Sequence, residues 1–176
     1  MSSTGSQSAE FPAVARSITD QQDRDVRIEQ YDGDPAPLEV CYEQFDDESR
    51  AQGIPPRSAQ RRTAWIEDLL EGHDVVAWDD GDAVGHAVLI PYGDGEEEEE
   101  EEEAAELAVF VRPDYQSAGI GTELVRSLLA LGRREGIQRV TLVVEPSNTI
   151  AVSLYRTVGF SVTDKHRGEF AMEREL

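Results

Sequence analysis

The sequence has 176 residues, and 37 aspartates and glutamates outweigh 16 lysines and arginines, which gives a formal charge of −21. A chain of this length corresponds to about one domain. A nucleic-acid-binding surface needs concentrated basic side chains, so this charge balance argues against one. The single cysteine excludes an internal disulfide framework. We see no signal peptide and no membrane-spanning run, so we expect a soluble, cytoplasmic protein.

The acidic residues are dense from Asp20 to Glu175, and Lys165 is the only lysine. One interpretation is a surface suited to concentrated salt, because the Debye length at about 1 M is near 3 Å and self-repulsion is then screened. The other is a binding site for a cationic partner. The even spread of the acidic residues favours the first interpretation.

Hydrophobic periodicity and turn residues divide the chain into a polar tail, residues 1–22, which we expect to be disordered, and one domain, residues 23–176. The predicted elements, in chain order, are a strand from Val26 to Tyr31, helices from Leu38 to Phe45 and from Ser58, a hairpin of strands Val75 to Trp78 and Ala83 to Pro91, a strand from Ala105 to Arg112, a helix from Gly119 to Glu135, a strand from Arg139 to Val144, a helix from Asn148 to Arg156, and a hairpin of Phe160 to Thr163 with Glu169 to Glu175. This order predicts a mixed α/β fold of mostly antiparallel hairpins with one crossover.

A run of eight glutamates, Glu96 to Glu103, interrupts the pattern. Like charges at this density repel one another and bury nothing, so we predict a disordered loop over residues 93–104. Regulation or metal capture by the run is the alternative. Ordered metal sites need ligands held by a fixed backbone, so we expect no metal site.

The most informative segment runs from Phe110 to Val125. A β-branched strand ends at Pro113, and a turn that contains Gly119 and Gly121 leads into a helix. Such a segment presents free backbone N–H groups at the positive end of the helix dipole, which suits a phosphate or pyrophosphate. The alternative is a plain strand–helix turn without a ligand.

Two common phosphate-binding patterns do not fit this segment. A P-loop needs a lysine that reaches the terminal phosphates, and Lys165 lies far along the chain. The dinucleotide pattern needs a small residue where Leu124 stands. The third pattern, Q-x-x-G-x-G entering a helix after V-x-P-x-Y, does fit.

Two blocks, E-L-A-V-F-V-R-P-D-Y-Q-S-A-G-I-G-T-E-L and N-T-I-A-V-S-L-Y-R-T-V-G-F, resemble the GNAT superfamily of N-acetyltransferases. The resemblance covers about Ala105 to Phe160. It implies a GNAT-like α/β fold with a mostly antiparallel sheet of about six to seven strands and about four flanking helices. The wording A-E-L-A-V-F-V also looks like the acetyltransferase domains of bacterial protein-lysine acetylating enzymes.

The resemblance implies acetyl-CoA as the acyl donor, without a metal. It implies that the backbone of Val109, Phe110 and Val111 binds the pantetheine arm, much as an added strand would. The residues it assigns to the pyrophosphate are Gln116, Ser117, Ala118, Gly119, Ile120, Gly121 and Thr122. Asn148 would also contact the cofactor, and helix capping is the alternative role for this residue.

Acyl transfer to an amine requires that the amine loses a proton and that the departing thiolate gains one. The resemblance places Tyr155 beside the CoA sulfur as the general acid, and a core aromatic is the alternative. Glu106 is the candidate base, because partial shielding on the strand would raise its pKa. The alternative for Glu106 is a solvent-facing end of the acidic run.

The other titratable residues give weaker signals. His73 and His86 have no metal-ligand spacing, and we expect His86 to face a polar surface. Cys41, on an amphipathic helix, is expected in the core rather than as a nucleophile.

We therefore expect an N-acetyltransferase that moves an acetyl group from acetyl-CoA to a primary amine of a protein or small molecule by direct attack. One alternative is a non-catalytic acyl-CoA-binding sensor or regulatory module. Another is an interaction protein whose acidic loop is the functional part. We expect no nucleic-acid or membrane partner and either a monomer or a homodimer. The sequence does not identify the acceptor.

Overall fold

The computed structural model describes residues 11–47, 54–92 and 103–176. These ranges form eight strands and four helices. The strands are β1 (Arg16–Thr19), β2 (Asp25–Gln30), β3 (His73–Asp79), β4 (Asp82–Tyr92), β5 (Ala104–Val111), β6 (Arg139–Val144), β7 (Ser161–His166) and β8 (Glu169–Glu175). The helices are α1 (Ala36–Glu43), α2 (Ala59–Leu69), α3 (Ile120–Arg134) and α4 (Thr149–Thr157).

All eight strands form one sheet in the order β1-β2-β3-β4-β5-β6-β8-β7. Every neighbouring pair is antiparallel except β5 and β6. A parallel pair needs a crossover of a dozen or more residues, and α3 provides it. The predicted mixed, mostly antiparallel fold is confirmed, with eight strands where six to seven were expected.

Helices pack on both faces of the sheet. On one face, Leu124 and Leu128 of α3 are fully buried in the larger core cluster, together with Val75 of β3. On the other face, Leu38 of α1 and Ile66 of α2 belong to a second, smaller cluster. None of the helices in the described ranges is both long and apolar enough to span a membrane.

The predicted disordered tail is wrong where it includes β1. This strand pairs with β2 along its whole length. Arg16 anchors it to α3, because its Nη2 lies 2.7 Å from Glu123 Oε2 and its Nε donates to Ser127 Oγ at 3.0 Å. An edge strand of four residues is too short to show a clear alternation, and these partners lie more than 100 residues away. Residues 1–10 of the predicted tail lie outside the described residues.

The predicted acidic loop falls almost entirely on residues 93–102, which are outside the described residues, so it stays a prediction. Its last two residues, 103 and 104, are described. Ala104 begins β5 and is buried, with 3% of its surface exposed. The loop therefore ends at least one residue earlier than predicted, because Ala104 pairs with both Tyr92 and Arg139 in the sheet.

The expectation that His86 faces a polar surface is wrong. His86 is fully buried, with Nδ1 2.6 Å from Tyr42 Oη and Nε2 2.5 Å from Asp74 Oδ1. Burial raises the pKa of Asp74, and the hydrogen bond from His86 opposes this. The sequence around His86 could not reveal partners on two other elements. The expectation for Cys41 is confirmed, since it is buried and its pKa is raised to about 12 by burial.

Candidate functional site

Strands β5 and β6 diverge after a short stretch of pairing. Their register joins residues 104–106 to residues 139–141 only. Strand β5 continues for five more residues, from Leu107 to Val111, without a partner on that side in the described part of the chain. An opening, the β5–β6 gap, therefore separates the two strands, and its β5 side is a free strand edge.

The backbone of β5 alternates between β4 and this gap. The Arg112 N–H donates to the Val84 carbonyl in β4 at 2.8 Å. By the alternation of an antiparallel pair, Val109 and Val111 direct their N–H and C=O groups to the gap. Gln116 Nε2 donates to the Val111 carbonyl at 2.9 Å, which agrees with this orientation.

Phe110 has the opposite orientation. By the same alternation its backbone groups face β4, where it pairs with His86. Its ring packs edge-on against Tyr42 and Trp65, with centroid distances of 5.6 and 5.1 Å. Among the predicted binding residues of β5, the structure therefore brings Val109 and Val111 to the gap and does not bring Phe110.

The phosphate loop, residues 113–119, has a left-handed backbone at two points. The φ angles are +59° at Ser117 and +92° at Gly119, and only glycine adopts the second without a steric cost. Helix α3 begins directly afterwards, and no side chain caps it at Gly119 within the described structure. The first N–H groups of α3, from Ile120, Gly121 and Thr122, have no acceptor inside the helix. These N–H groups lie at the positive end of the helix dipole, where they can donate to an anion.

The two glycines have different roles. Gly119 supplies the left-handed turn. Gly121 is buried, and a Cβ there would lie 3.0 Å from Leu154 Cδ1 of α4 and 3.6 Å from Val111 Cγ2. The predicted place of Gly121 in the phosphate site stays a prediction, and its missing side chain also lets α3 pack closely against α4 and β5.

Side chains anchor the phosphate loop at its start. The Arg112 guanidinium donates to both carboxylate oxygens of Asp114, at 2.7 and 2.8 Å. These hydrogen bonds lower the pKa of Asp114. The Tyr115 hydroxyl donates to Asp79 Oδ2 at 2.6 Å, and this bond, with burial, raises the pKa of Tyr115.

Asn148 is the N-cap of α4, as the capping alternative predicted. Its Oδ1 accepts a hydrogen bond from the Ala151 N–H at 3.2 Å. The side chain is exposed, and its amide nitrogen is a second polar group at the start of α4. Capping and contact with a ligand are therefore compatible at this residue.

Tyr155 lies on α4 and is buried, with 9% of its surface exposed. Its ring packs edge-on against Phe160 at 5.8 Å. Burial raises the pKa of its hydroxyl to about 12. Within the described residues the hydroxyl has no side-chain or backbone hydrogen-bond partner. The buried ring therefore fixes the position of a proton donor that makes no hydrogen bond inside this part of the protein.

Glu106 lies at the point where β5 and β6 separate. It is opposite Ile90 in β4 and Thr141 in β6. The side chain is exposed, so the shielding that the sequence analysis expected is not present. Its place at the head of the gap is given by the register, and its role as the base stays a prediction.

A hydroxyl pair lies near Glu106 and was not predicted from the sequence. Tyr92 Oη and Thr141 Oγ1 lie 3.0 Å apart and bridge β4 and β6. The strand register puts both on the same face of the sheet as Glu106. The sequence showed Tyr92 at a strand end but gave no sign that β6 would lie beside it. In the described ranges, no three metal-ligating side chains come together.

The sheet order, the β5–β6 gap and the phosphate loop define a class of protein. The fold is similar to the GNAT domain of S. lividans PAT, with a TM-score of 0.78 over 94% of this chain and 99% of that chain, at 20% identity. It is also similar to the PaiA N-acetyltransferase of Thermoplasma acidophilum in complex with coenzyme A, with a TM-score of 0.64 over 85% of this chain and 99% of that chain, at 20% identity. Identities this low show the fold alone.

The sequence relationship is more specific. The chain is 27% identical over 111 residues to the L-methionine sulfoximine/L-methionine sulfone acetyltransferase of Pseudomonas aeruginosa. That match covers 61% of this chain and 63% of the relative, which is less than two thirds of its length. The profile of the Acetyltransferase (GNAT) family matches residues 38–160, well over half of the chain. The protein therefore belongs to the GNAT acetyltransferase family, which confirms the resemblance found in the two sequence blocks.

Proposed function

We propose that this protein transfers the acetyl group of acetyl-CoA to the primary amine of a small, amino-acid-like acceptor. The observation that carries the proposal is the continuous path from the free edge of β5 into the uncapped start of α3. A ligand that combines an amide-containing arm with a pyrophosphate matches this path in chemistry and in order. The CoA bound to the Thermoplasma acidophilum relative supports the same donor.

The donor would be held mainly by backbone groups. Val109 and Val111 offer N–H and C=O groups to the amides of pantetheine, as a sheet edge offers them to an added strand. The Gln116 N–H donates to the Pro113 carbonyl at 3.3 Å, so the N–H groups of Ser117 to Thr122 would face the pyrophosphate. Arg112 and Arg126, which flank the phosphate loop in sequence, are paired with Asp114 and Glu123. Backbone amides and helix polarity therefore provide most of the binding.

We assign the two proton transfers of the reaction to Tyr155 and Glu106. The amine nitrogen bonds to the thioester carbonyl carbon, and the C–S bond breaks. Tyr155 gives its proton to the departing thiolate and regains one from solvent. A phenol with a pKa of about 12 is a weaker acid than a thiol, whose pKa is about 8.5, so proton transfer from Tyr155 to the thiolate is unfavourable in solution. The fixed position of Tyr155 beside the sulfur must therefore favour this transfer. Glu106, which is exposed, accepts the proton of the amine through water.

The surface around Glu106 suits a small cationic amine with an apolar side chain. Ile90 and Tyr92 are 39% and 47% exposed on the face of the sheet that carries Glu106. The carboxylate attracts the ammonium group, and the exposed apolar surface can cover the side chain. The Pseudomonas aeruginosa relative, named for two amino-acid derivatives, supports this class of acceptor.

The proposal is tested by thiol release from acetyl-CoA with a panel of amines. The panel contains L-methionine sulfone, common free amino acids, a polyamine and lysine-containing peptides, each in low and in molar salt. We expect amine-dependent release that is fastest with a free amino acid, and an N-acetylated product by mass spectrometry. Release with peptides alone would move the acceptor to proteins. Tight CoA binding without release for any amine would favour a non-catalytic acyl-CoA-binding module.

A further inference from the structure

The turn between β1 and β2, residues 20–24, lies against the phosphate loop although the two segments are about 90 residues apart in sequence. Strands β1, β3 and β5 run in the same direction, because each is separated from the next by one antiparallel neighbour. Their C-terminal ends therefore meet at one edge of the sheet. The β1–β2 turn, Asp79 at the end of β3 and the phosphate loop share that edge.

Asp20 fixes the conformation of the β1–β2 turn. Its carboxylate is inaccessible to solvent and accepts hydrogen bonds from the N–H groups of Gln22 and Arg24, both at 2.9 Å. The second carboxylate oxygen accepts from Arg24 Nε at 2.7 Å. Burial alone would raise the pKa of Asp20, but the hydrogen bonds from Arg24 and Gln22 outweigh it and lower the pKa.

Arg24 connects this turn to the start of the phosphate loop. Its Nη1 donates to the Asp114 carbonyl at 3.1 Å, and its guanidinium lies 4.0 Å above the centre of the Tyr115 ring. Its Nη2 is buried without a hydrogen-bond partner in the described chain. The electron-rich face of the Tyr115 ring compensates in part for that missing bond. Tyr115 is in turn held by Asp79.

Gln21 connects the same turn to the end of the phosphate loop. Its N–H donates to the Ala118 carbonyl at 2.9 Å. Its Nε2 lies close to Gly119, since a Cβ added to this glycine would be 3.3 Å from it. The β1–β2 turn therefore holds the phosphate loop on both sides of Ser117, which has the less favourable left-handed backbone.

We infer that the β1–β2 turn is a positioning element for CoA binding, in which Asp20 orients Arg24 and Arg24 holds the phosphate loop in its anion-binding shape. This inference rests on the proposed donor site and goes beyond it. A loop with two left-handed residues samples other shapes when it is not held, and the ligand must then supply the ordering free energy. The β1–β2 turn acts on the phosphate loop and has no part in binding the acetyl group or the acceptor.

The test compares Arg24→Gln with a matched control, Arg27→Gln. Arg27 is an exposed arginine on β2 that pairs only with Glu29 among the described residues. CoA affinity is measured by calorimetry, and kcat/KM is measured with acetyl-CoA and with S-acetylpantetheine, which lacks the pyrophosphate. We expect Arg24→Gln to weaken CoA binding about tenfold and to leave kcat/KM with S-acetylpantetheine unchanged. Arg27→Gln should change neither.

Arg24→Lys keeps the charge but loses the planar stacking, so it should lower CoA affinity to an intermediate extent. This variant replaces Arg24→Gln in the test if Arg24→Gln does not fold. Equal losses with both donors would show a general structural effect and overturn the inference, as would unchanged CoA affinity in Arg24→Gln. Calorimetry measures CoA affinity even in a protein without turnover. A failure of the proposed acetyl transfer is therefore distinguishable from a failure of the inferred role of the β1–β2 turn. Wild-type protein that does not bind CoA would contradict both proposals.

Discussion

Tyr155 shows how burial defines a chemical role for one residue. The side chain is almost covered, its ring is fixed against Phe160, and its pKa is raised to about 12. A raised pKa means that the folded protein keeps this proton at a pH where an unfolded tyrosine would release it. The hydroxyl therefore remains a proton donor throughout the neutral range, and any stability that it contributes is lost only above about pH 10.

We predict that Tyr155→Phe lowers kcat by about 100-fold or more, because one positioned proton donor is removed. The affinity for CoA should stay within about twofold, since the ring and its packing remain. Steady-state kinetics and calorimetry measure the two quantities. Tyr31→Phe, which removes a hydroxyl that donates to the Asp34 carbonyl outside the site, is the matched control. Equal losses of turnover and affinity would reassign Tyr155 to binding.

We predict that Glu106→Gln lowers kcat/KM about 10- to 100-fold across the pH–rate profile. The amide has nearly the same shape but cannot accept the proton of the amine. The measurement is a pH–rate profile with a saturating donor. Glu67→Gln, at an exposed position on α2, should leave the profile unchanged. A profile for Glu106→Gln that matches the wild type would remove Glu106 as the base.

At the scale of elements, local signals were sufficient for most of the fold. The predicted strands Val75 to Trp78 and Ala83 to Pro91 match the β3–β4 hairpin, and the predicted helix from Gly119 to Glu135 matches α3 to within one residue at each end. β1 has no such local signal, because its stability comes from Arg16 and from pairing with β2. The β1–β2 turn was missed for the same reason, since its partners are in the phosphate loop.

We predict that Asp20→Asn lowers the Tm of the protein by about 5 °C at pH 7, because the two N–H groups and Arg24 lose a charged acceptor. The folded-state pKa of Asp20 is lowered from 3.8, so its contribution is fully present above that pH and is lost as pH falls through the folded value. The difference in Tm between wild type and variant should therefore shrink below about pH 4. Thermal melts from pH 3 to pH 7 measure it, and a difference that stays constant would contradict the ionised, hydrogen-bonded state.

At the scale of the whole molecule, the two motif blocks predicted the family, but they did not predict how every residue within them packs. Gly121 packs against Leu154, and Phe110 packs against Tyr42 and Trp65. Both outcomes depend on which elements become neighbours in three dimensions. The net charge of −21 is a property of the whole chain and acts on the anionic donor before any contact forms.

We predict that the association rate of CoA increases severalfold between about 0.1 M and 1 M salt, where the Debye length falls from about 10 Å to about 3 Å. The repulsion between a strongly acidic protein and an anionic ligand is then screened, while the backbone contacts at the phosphate loop change little. Stopped-flow binding measures the rate. The KM for S-acetylpantetheine, which lacks the phosphates, should not change with salt as the association rate of CoA does. A rate that falls with salt would show that cationic side chains attract the donor.

The most direct test of the central claim is a single-turnover experiment with excess protein and acetyl-CoA labelled in the acetyl group. Direct transfer predicts that the label stays on CoA until an amine is added and then appears only on that amine, with one thiol released per acetyl group. Cys41 is buried and its thiol pKa is raised to about 12, so no label should appear on the protein. Label on the protein before the amine is added, or label that remains on CoA with every amine, would contradict the account.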